Sequence, residues 1–95
     1  MQDPILQTHR EDILHLAAQH GASNVRVFGS RARGEGRLES DVDLLVTMKQ
    51  GSSLLDLVEL KQDIEDLLAR PVDVVTEAAL SPYIRDRILT EALPL

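Results

Sequence analysis

The sequence predicts an α/β domain of the α+β kind, in which about four helices flank a small mixed sheet of three strands. Three observations predict this class: short runs rich in β-branched residues, helical periodicity of apolar residues in the segments around them, and Gly or Pro residues at the boundaries. Because a chain of 95 residues has room for one modest core, we expect residues 1–95 to form a single domain.

The first element is a helix predicted over residues 4–20. Asp3 before Pro4 is typical of an N-cap followed by a first-turn proline, and the apolar stripe that follows stops at Gly21. The histidines of this segment lack the spacing of metal ligands, so we assign no role to His9, His15 and His20.

Two strands are predicted on either side of a loop. Residues 24–28 alternate and end at Gly29, whereas residues 42–47 are mostly apolar, as in a strand buried on both faces. The loop between them, residues 29–40, has little room for a crossover helix. We therefore expect an antiparallel or locally mixed arrangement of these strands.

A long amphipathic helix and a third strand follow. Ser53 with Asp56 resembles a capping box, an apolar stripe runs from there to Pro71, and residues 72–76 are β-rich. A strand, a helix and a strand in this order predict parallel strands joined by a right-handed crossover. The last helix is predicted to begin at Ser81-Pro82, with three apolar residues on one face: Ile84, Ile88 and Leu89.

This connectivity brings three carboxylates to one edge of the sheet, beside Ser30. Asp41 and Asp43 lie two apart at the start of the second strand, and Asp73 lies one residue into the third. Ionised carboxylates so close repel each other unless a cation lies between them, and Mg²⁺ or Mn²⁺ binds through a few carboxylates plus substrate phosphates. A pair of aspartates alone is common in acidic proteins, and a salt bridge to an arginine is the alternative role of Asp73.

The glycine and serine before the loop fit a phosphate. Gly29 allows close approach of the backbone, and Ser30 offers a hydroxyl, an N–H and the start of a helical turn whose dipole would face the anion. These features, with the carboxylates, predict a site for a nucleoside triphosphate. Two metal ions there could stabilise the attacking and leaving oxygens of an in-line displacement at the α-phosphorus.

Charge and composition restrict the classes of partner. A net charge of −6 argues against sequence-independent binding of nucleic acid, so we expect no direct nucleic-acid binding. Four arginines nevertheless lie close to the Gly-Ser turn and either form a local anion site or solubilise a loop: Arg26, Arg31, Arg33 and Arg37. The absence of cysteine and the shortness of the apolar runs predict a cytoplasmic protein that does not enter a membrane.

The motif as a whole resembles a known family. Gly29-Ser30, ten residues, Asp41-x-Asp43 and a third aspartate, Asp73, on a later strand resemble the signature of the polymerase-β-like nucleotidyltransferase superfamily. Residues 27–35 and 40–46 further resemble its minimal nucleotidyltransferase (MNT) subgroup, whose members occur as antitoxins paired with HEPN toxins. The resemblance covers nearly the whole chain.

The resemblance implies an activity and roles for the residues. It implies a nucleotidyltransferase fold with a mixed three-stranded sheet, and transfer of AMP from ATP to a tyrosine hydroxyl of a HEPN ribonuclease toxin. Asp41 and Asp43 would bind two Mg²⁺ ions, Asp73 would bind the catalytic ion and help to activate the acceptor, and Gly29 and Ser30 would hold the triphosphate.

Two arginine roles and the type of partner remain open. By position, Arg31 and Arg33 would neutralise phosphate charge, and pairing with Glu35 or Glu39 is the alternative. The short chain favours a hetero-complex or self-association.

Two other functions are compatible with the sequence. One is an antitoxin that acts by binding and occlusion, through the apolar stripe of the last helix and the tail of residues 92–95. The other is a nucleotidyltransferase for a small molecule, although the related antibiotic-modifying enzymes carry an additional domain.

Overall fold

The computed structural model describes residues 3–37 and 40–95, and these residues form a mixed sheet with helices. In chain order the elements of the described residues are α1 (Pro4–Thr8), α2 (Arg10–Gln19), β1 (Ala22–Phe28), β2 (Val42–Met48), α3 (Leu54–Leu68), β3 (Val72–Thr76), a 3₁₀ helix (Glu77–Ala79), α4 (Pro82–Glu91) and β4 (Leu93–Pro94). No helix in the described part of the chain is both long and apolar enough to span a membrane.

The sheet has the strand order β3, β2, β1, β4. β2 is antiparallel to β1 and parallel to β3, and β4 pairs antiparallel with β1 at the other edge. The predicted fold class and both predicted strand directions are therefore confirmed. The long helix between β2 and β3 returns the chain to the end of the sheet at which β2 begins, and parallel strands generally require such a connection.

The core lies between one face of the sheet and α1, α2 and α3. Its members share almost complete burial and include Leu6, Ile13, Val27, Val42, Leu44, Leu60 and Ile64. Burial of each such side chain contributes about 1.5–3 kcal/mol relative to exposure. Leu45 is also fully buried but lies outside this cluster, because alternate residues of a strand face opposite sides.

The predicted first helix is wrong in one respect, since the segment is two helices separated at His9. The backbone of His9 has φ −102° and ψ 9°, outside the helical region. The hydrogen bonds nearly continue across the break, because the His9 N–H donates to Ile5 O (3.1 Å) and the Ile13 N–H donates to His9 O (2.9 Å). A distortion of one residue leaves the apolar periodicity intact, so the pattern could not show it.

The predicted number of strands is also wrong, because the tail forms a fourth strand. Leu93 lies opposite Val27, and Pro94 lies opposite Arg26. The Leu95 N–H donates to Val25 O at 3.0 Å. A strand of two residues has no alternation to detect, and its proline is tolerated only at an edge, where β4 lies.

Candidate active site

The strand register brings two of the predicted carboxylates, Asp43 and Asp73, to one end and one face of the sheet. Phe28, the last residue of β1, lies opposite Asp43 of β2, which in turn lies opposite Asp73 of β3. Asp43 is flanked by the core residues Val42 and Leu44, and Asp73 is flanked by two buried valines. Since side chains alternate along a strand, both aspartates face away from the helical core.

Asp43 is the electrostatic centre of this group. Its burial raises the pKa of its carboxyl above the ordinary value, and the negative charges of Asp73 and Asp41 raise it further. Arg33 acts in the opposite direction and lowers this pKa, whereas Glu91 adds a small upward effect. Asp43 is therefore close enough to both Asp73 and Asp41 to be repelled by their charges when it is ionised.

This donor set fits a divalent cation in its chemistry. A cation would offset the repulsion that Asp43 experiences, and carboxylate oxygens are the ligands that Mg²⁺ prefers. Within residues 3–37 and 40–95, no three His, Asp or Glu side chains already form a group arranged to hold a metal. Mg²⁺ sites commonly rely on substrate phosphates and water for the remaining ligands.

Gly29 is packed directly against Asp43. Its φ of +78° lies in the left-handed region, and a Cβ at this position would overlap Asp43 Oδ2 and lie 3.2 Å from Asp43 Cγ. A side chain would thus be strained and would also displace the carboxylate. The motif glycine therefore sets the close contact between the end of β1 and the carboxylate site.

The loop after Gly29 is a series of turns. The Arg33 N–H donates to Gly29 O at 3.2 Å, and the Glu35 N–H donates to Ser30 O at 2.9 Å. The predicted helical turn at Ser30 is thus hydrogen-bonded, but it does not continue as a helix. Ser30 directly follows Gly29, the residue that packs against Asp43.

Arg31 is the one charged residue in the described chain that is buried, and its side chain is 2% exposed. Its Nη1 donates to Asp3 Oδ2 at 2.6 Å. Its Nη2 donates to Ser40 O at 2.7 Å and to Arg37 O at 3.0 Å. This geometry does not support the predicted phosphate contact of Arg31, because the guanidinium already holds the loop.

Arg33 is exposed and lies between two carboxylates. Its Nε donates to Glu35 Oε2 and its Nη1 donates to Glu91 Oε2, both at 2.8 Å. These bonds raise the pKa of Arg33 above its ordinary value. The alternative pairing with Glu35 is therefore present, whereas Glu39 lies outside the described residues. The positive charge of Arg33 still lowers the pKa of Asp43, so Arg33 contributes to the electrostatics of the carboxylate site.

Two residues near the motif were not identified as site residues from the sequence. Asp3 was predicted only as a helix cap, and Glu91 had no predicted role. Asp3 and Arg31 are 28 positions apart in the sequence, and Glu91 and Arg33 are 58 positions apart. No local sequence pattern could therefore signal either contact. A cleft of about 460 Å³ on the Asp3 side is lined by Asp3, Pro4, Arg31, Ala32, Arg33, Gly34, Gly36 and Leu93.

The mixed sheet and the Gly-Ser turn, whose glycine packs against Asp43, point to the class of protein. The sequence profile of the family described as Nucleotidyltransferase domain matches residues 7–95. The chain belongs to this family and is an enzyme of the nucleotidyltransferase class.

Relatives place the chain more narrowly, among the minimal nucleotidyltransferases. A candidate protein adenylyltransferase of Methanocaldococcus jannaschii is 43% identical over 84 residues, which are 88% of this chain and 90% of the relative. Protein adenylyltransferase MntA of Thermococcus cleftensis is 36% identical over 91 residues, covering 96% of this chain and 89% of MntA. A solved structure of a candidate minimal nucleotidyltransferase superposes with a TM-score of 0.84 at 52% identity, covering 95% of this chain and 92% of that chain.

A more distant structural neighbour shares the fold. It is a structure of the MNT antitoxin with the tri-AMPylated HEPN toxin of Shewanella oneidensis, and it matches with a TM-score of 0.70 at 20% identity. The match covers 93% of this chain and 69% of that chain. The predicted membership of the MNT subgroup is confirmed by the likeness to MntA and to the solved structure at 52% identity.

Proposed function

We propose that this protein is a metal-dependent protein adenylyltransferase, which transfers AMP from ATP to a tyrosine hydroxyl of a HEPN ribonuclease toxin and so acts as its antitoxin. The observation that carries the proposal is Asp43, which packs against Gly29 and is close enough to Asp41 and Asp73 for their charges to raise its pKa. The names of the relatives supply the class of acceptor, because both are described as protein adenylyltransferases. The proposal of a HEPN partner is supported by the distant neighbour, an MNT antitoxin in complex with a HEPN toxin.

The aspartates are the proposed metal ligands. Asp41 and Asp43 would hold two Mg²⁺ ions, with Mn²⁺ as a substitute, and Asp73 would hold one of them. Bound metal would neutralise phosphate charge and stabilise the attacking and leaving oxygens of the displacement. Asp43 lies centrally for this role, since both other aspartates act on it.

Other residues would bind and orient the reactants. The backbone at Gly29 and the hydroxyl and N–H of Ser30 would hold the triphosphate. Arg33 would contribute positive charge beside the phosphates, exchanging its contact with Glu91 for one with an anion. Asp73 would help to accept the proton of the tyrosine hydroxyl. The tyrosine oxygen would bond to the α-phosphorus as pyrophosphate leaves.

Labelling the toxin tests this proposal. The purified protein is incubated with α-labelled ATP, Mg²⁺ and a HEPN protein encoded beside it. We expect label on the HEPN protein from the wild type but not from Asp41→Asn. Asp66→Asn, which changes an exposed aspartate of α3, should label as the wild type does. The proposal would be contradicted if the HEPN protein stayed unlabelled at concentrations of the wild-type protein that neutralise its ribonuclease activity.

The metal requirement is tested in the same assay. Removal of Mg²⁺ with EDTA should abolish labelling, and addition of Mg²⁺ or Mn²⁺ in excess should restore it. Labelling that persists in EDTA would contradict metal dependence while leaving the transfer of AMP intact. Mapping the modified residue by mass spectrometry decides whether the acceptor is a tyrosine.

Neutralisation by binding alone is the second candidate function. Exposed apolar side chains support it, namely Leu54, Leu55 and Val58 on α3 and Tyr83 on α4. Of the surface predicted for it from the sequence, Ile88 is buried, whereas Ile84 on α4 and Leu93 in β4 are exposed. Full neutralisation of an equal amount of toxin by Asp41→Asn would favour this function over chemistry.

A further inference from the structure

The buried ion pair between Asp3 and Arg31 links the N-terminus of α1 to the motif loop. The side chains of Arg31 and Asp3 are 2% and 10% exposed, so this pair is largely removed from solvent. Burial of a charge is costly unless partners satisfy it. Arg31 meets that requirement with a carboxylate on one side and backbone carbonyls on the other.

The carbonyls that Arg31 binds lie at the far end of the loop. Arg31 follows Ser30, whereas Ser40, which accepts from both Nε (3.3 Å) and Nη2 (2.7 Å), directly precedes Asp41. The guanidinium therefore joins the phosphate-binding end of the loop to the carboxylate end. The loop also packs closely on this side chain, because a Cβ at Gly36 would lie 2.7 Å from Arg31 Cγ.

Asp3 divides its two carboxylate oxygens between two tasks. Oδ1 accepts from the N–H groups of Ile5 (3.0 Å) and Leu6 (3.2 Å) and caps α1. Oδ2 accepts from Arg31 Nη1. An asparagine could keep the cap with its Oδ1, but its NH₂ group would then face the guanidinium, donor against donor.

We propose that Asp3 is a positioning residue for nucleotidyl transfer, which acts through Arg31 to hold Ser30 and Asp41 at the spacing that the reaction needs. The proposal rests on the proposed function for what the site does, but it concerns a residue to which that function assigns no contact with a reactant. Arg31 is correspondingly a support for the loop and not a ligand of the phosphates.

Asp3→Asn tests this proposal, with Ser53→Ala as the matched control. Ser53 caps α3 by accepting from the Asp56 N–H (3.3 Å), so Ser53→Ala measures what the loss of a helix cap alone does, in an element away from the motif loop. For Asp3→Asn we expect kcat/KM for AMP transfer to fall about 10- to 100-fold, with a higher KM for MgATP, because small misplacements of reacting groups have effects of this size. Ser53→Ala should keep the wild-type kinetics at temperatures below its Tm.

A double-mutant cycle separates positioning from general destabilisation. If Asp3 acts through Arg31, Asp3→Asn should have little further effect on kcat/KM in an Arg31→Met background. Should Arg31→Met fail to fold, Gly36→Ala provides a second perturbation of the same packing, and it should shift KM for MgATP in the direction that Asp3→Asn does. Additive effects in the cycle, or an Asp3→Asn variant that behaves as Ser53→Ala, would overturn the proposal.

Hydrogen exchange keeps this test independent of the proposed function. Amides of residues 29–37, 40 and 41 should exchange faster in Asp3→Asn than in the wild type, and Ser53→Ala should leave them unchanged. If the wild type neither binds ATP nor labels a partner, the proposed function fails, while the exchange rates still decide whether Asp3 orders the loop. Unchanged exchange in Asp3→Asn would contradict the positioning role even in an active enzyme.

Discussion

At the scale of single residues, the site depends on two close contacts, that of Asp43 with Gly29 and that of Arg31 with Asp3. Asp43 is held among like charges at the start of β2, and Gly29 leaves it the space that it occupies. The sequence could identify both residues, because a positive φ favours glycine and paired carboxylates favour a cation. It could not identify Arg31 as buried, since arginine is ordinarily exposed and its partner Asp3 is distant in the chain.

Substitution of Gly29 tests how closely the motif must pack. Gly29→Ala should lower kcat/KM about 100-fold, because its Cβ would displace Asp43, and misplacement of a reacting group has effects of this order. Gly34→Ala is the matched control, since Gly34 has a similar φ of +76° but no atom within 4 Å of the added Cβ. The measurement is AMP transfer at a temperature where both variants are folded. Equal losses in both variants would assign the effect to backbone strain.

At the scale of secondary structure, the positions of elements were predictable where local signals and tertiary contacts agree. The capping box of Ser53 and Asp56 begins α3, as predicted, with both reciprocal hydrogen bonds formed. The strand β1 begins two residues earlier than predicted, at Ala22, and continues through Asn24 at φ 51° with a shift in register. Asparagine is a common turn residue, so its place within an irregular strand required the pairing with β2.

Glu65 connects α3 to β3, the strand that carries Asp73. Its Oε2 accepts from the Val72 N–H at 3.0 Å and from Lys61 Nζ at 3.1 Å, and these bonds lower the pKa of Glu65 from its ordinary value of 4.5. A lowered pKa in the folded state means that the ionised carboxylate stabilises the fold above pH 4.5, and that this contribution is lost as the pH falls through the folded-state value.

Glu65→Gln should therefore lower the Tm at pH 7, and its difference from the wild type should shrink below pH 4.5. Thermal unfolding followed by circular dichroism across pH 3–7 measures this difference. Asp66→Asn, at the next and exposed position of α3, serves as the control and should follow the wild type. A Tm difference for Glu65→Gln that stays constant with pH would show that the charge of Glu65 is not what joins α3 to β3.

At the scale of the whole molecule, one sheet supports the core on one face and the carboxylates at its end. The strand directions were predictable from loop lengths, since a short loop favours antiparallel strands and a long helical connection permits parallel ones. The fourth strand was not, because it depends on long-range contacts with β1 and on the bond from Arg10 Nε to Leu95 O (2.8 Å). The residues of the motif could thus be predicted better than the elements that support them.

Stability and function should oppose each other at Asp43. Its pKa is raised in the folded state, so the ionised carboxylate costs free energy at neutral pH in the absence of a cation. Asp43→Asn removes that charge and should raise the Tm of the metal-free protein. The substitution should at the same time remove the stabilisation that Mg²⁺ with a non-hydrolysable ATP analogue gives to the wild type.

For the wild type, ligand at 100 times its Kd would add about 2.7 kcal/mol to the free energy of unfolding. In a domain of this size, each kcal/mol corresponds to a Tm shift of about 4–8 °C. Differential scanning fluorimetry with and without Mg²⁺ and the analogue measures both effects, and Asp66→Asn again controls for loss of a carboxylate elsewhere. A metal-free Asp43→Asn protein that melts below the wild type would contradict the repulsion among the aspartates, whereas a retained ligand shift would contradict their role in binding metal and nucleotide.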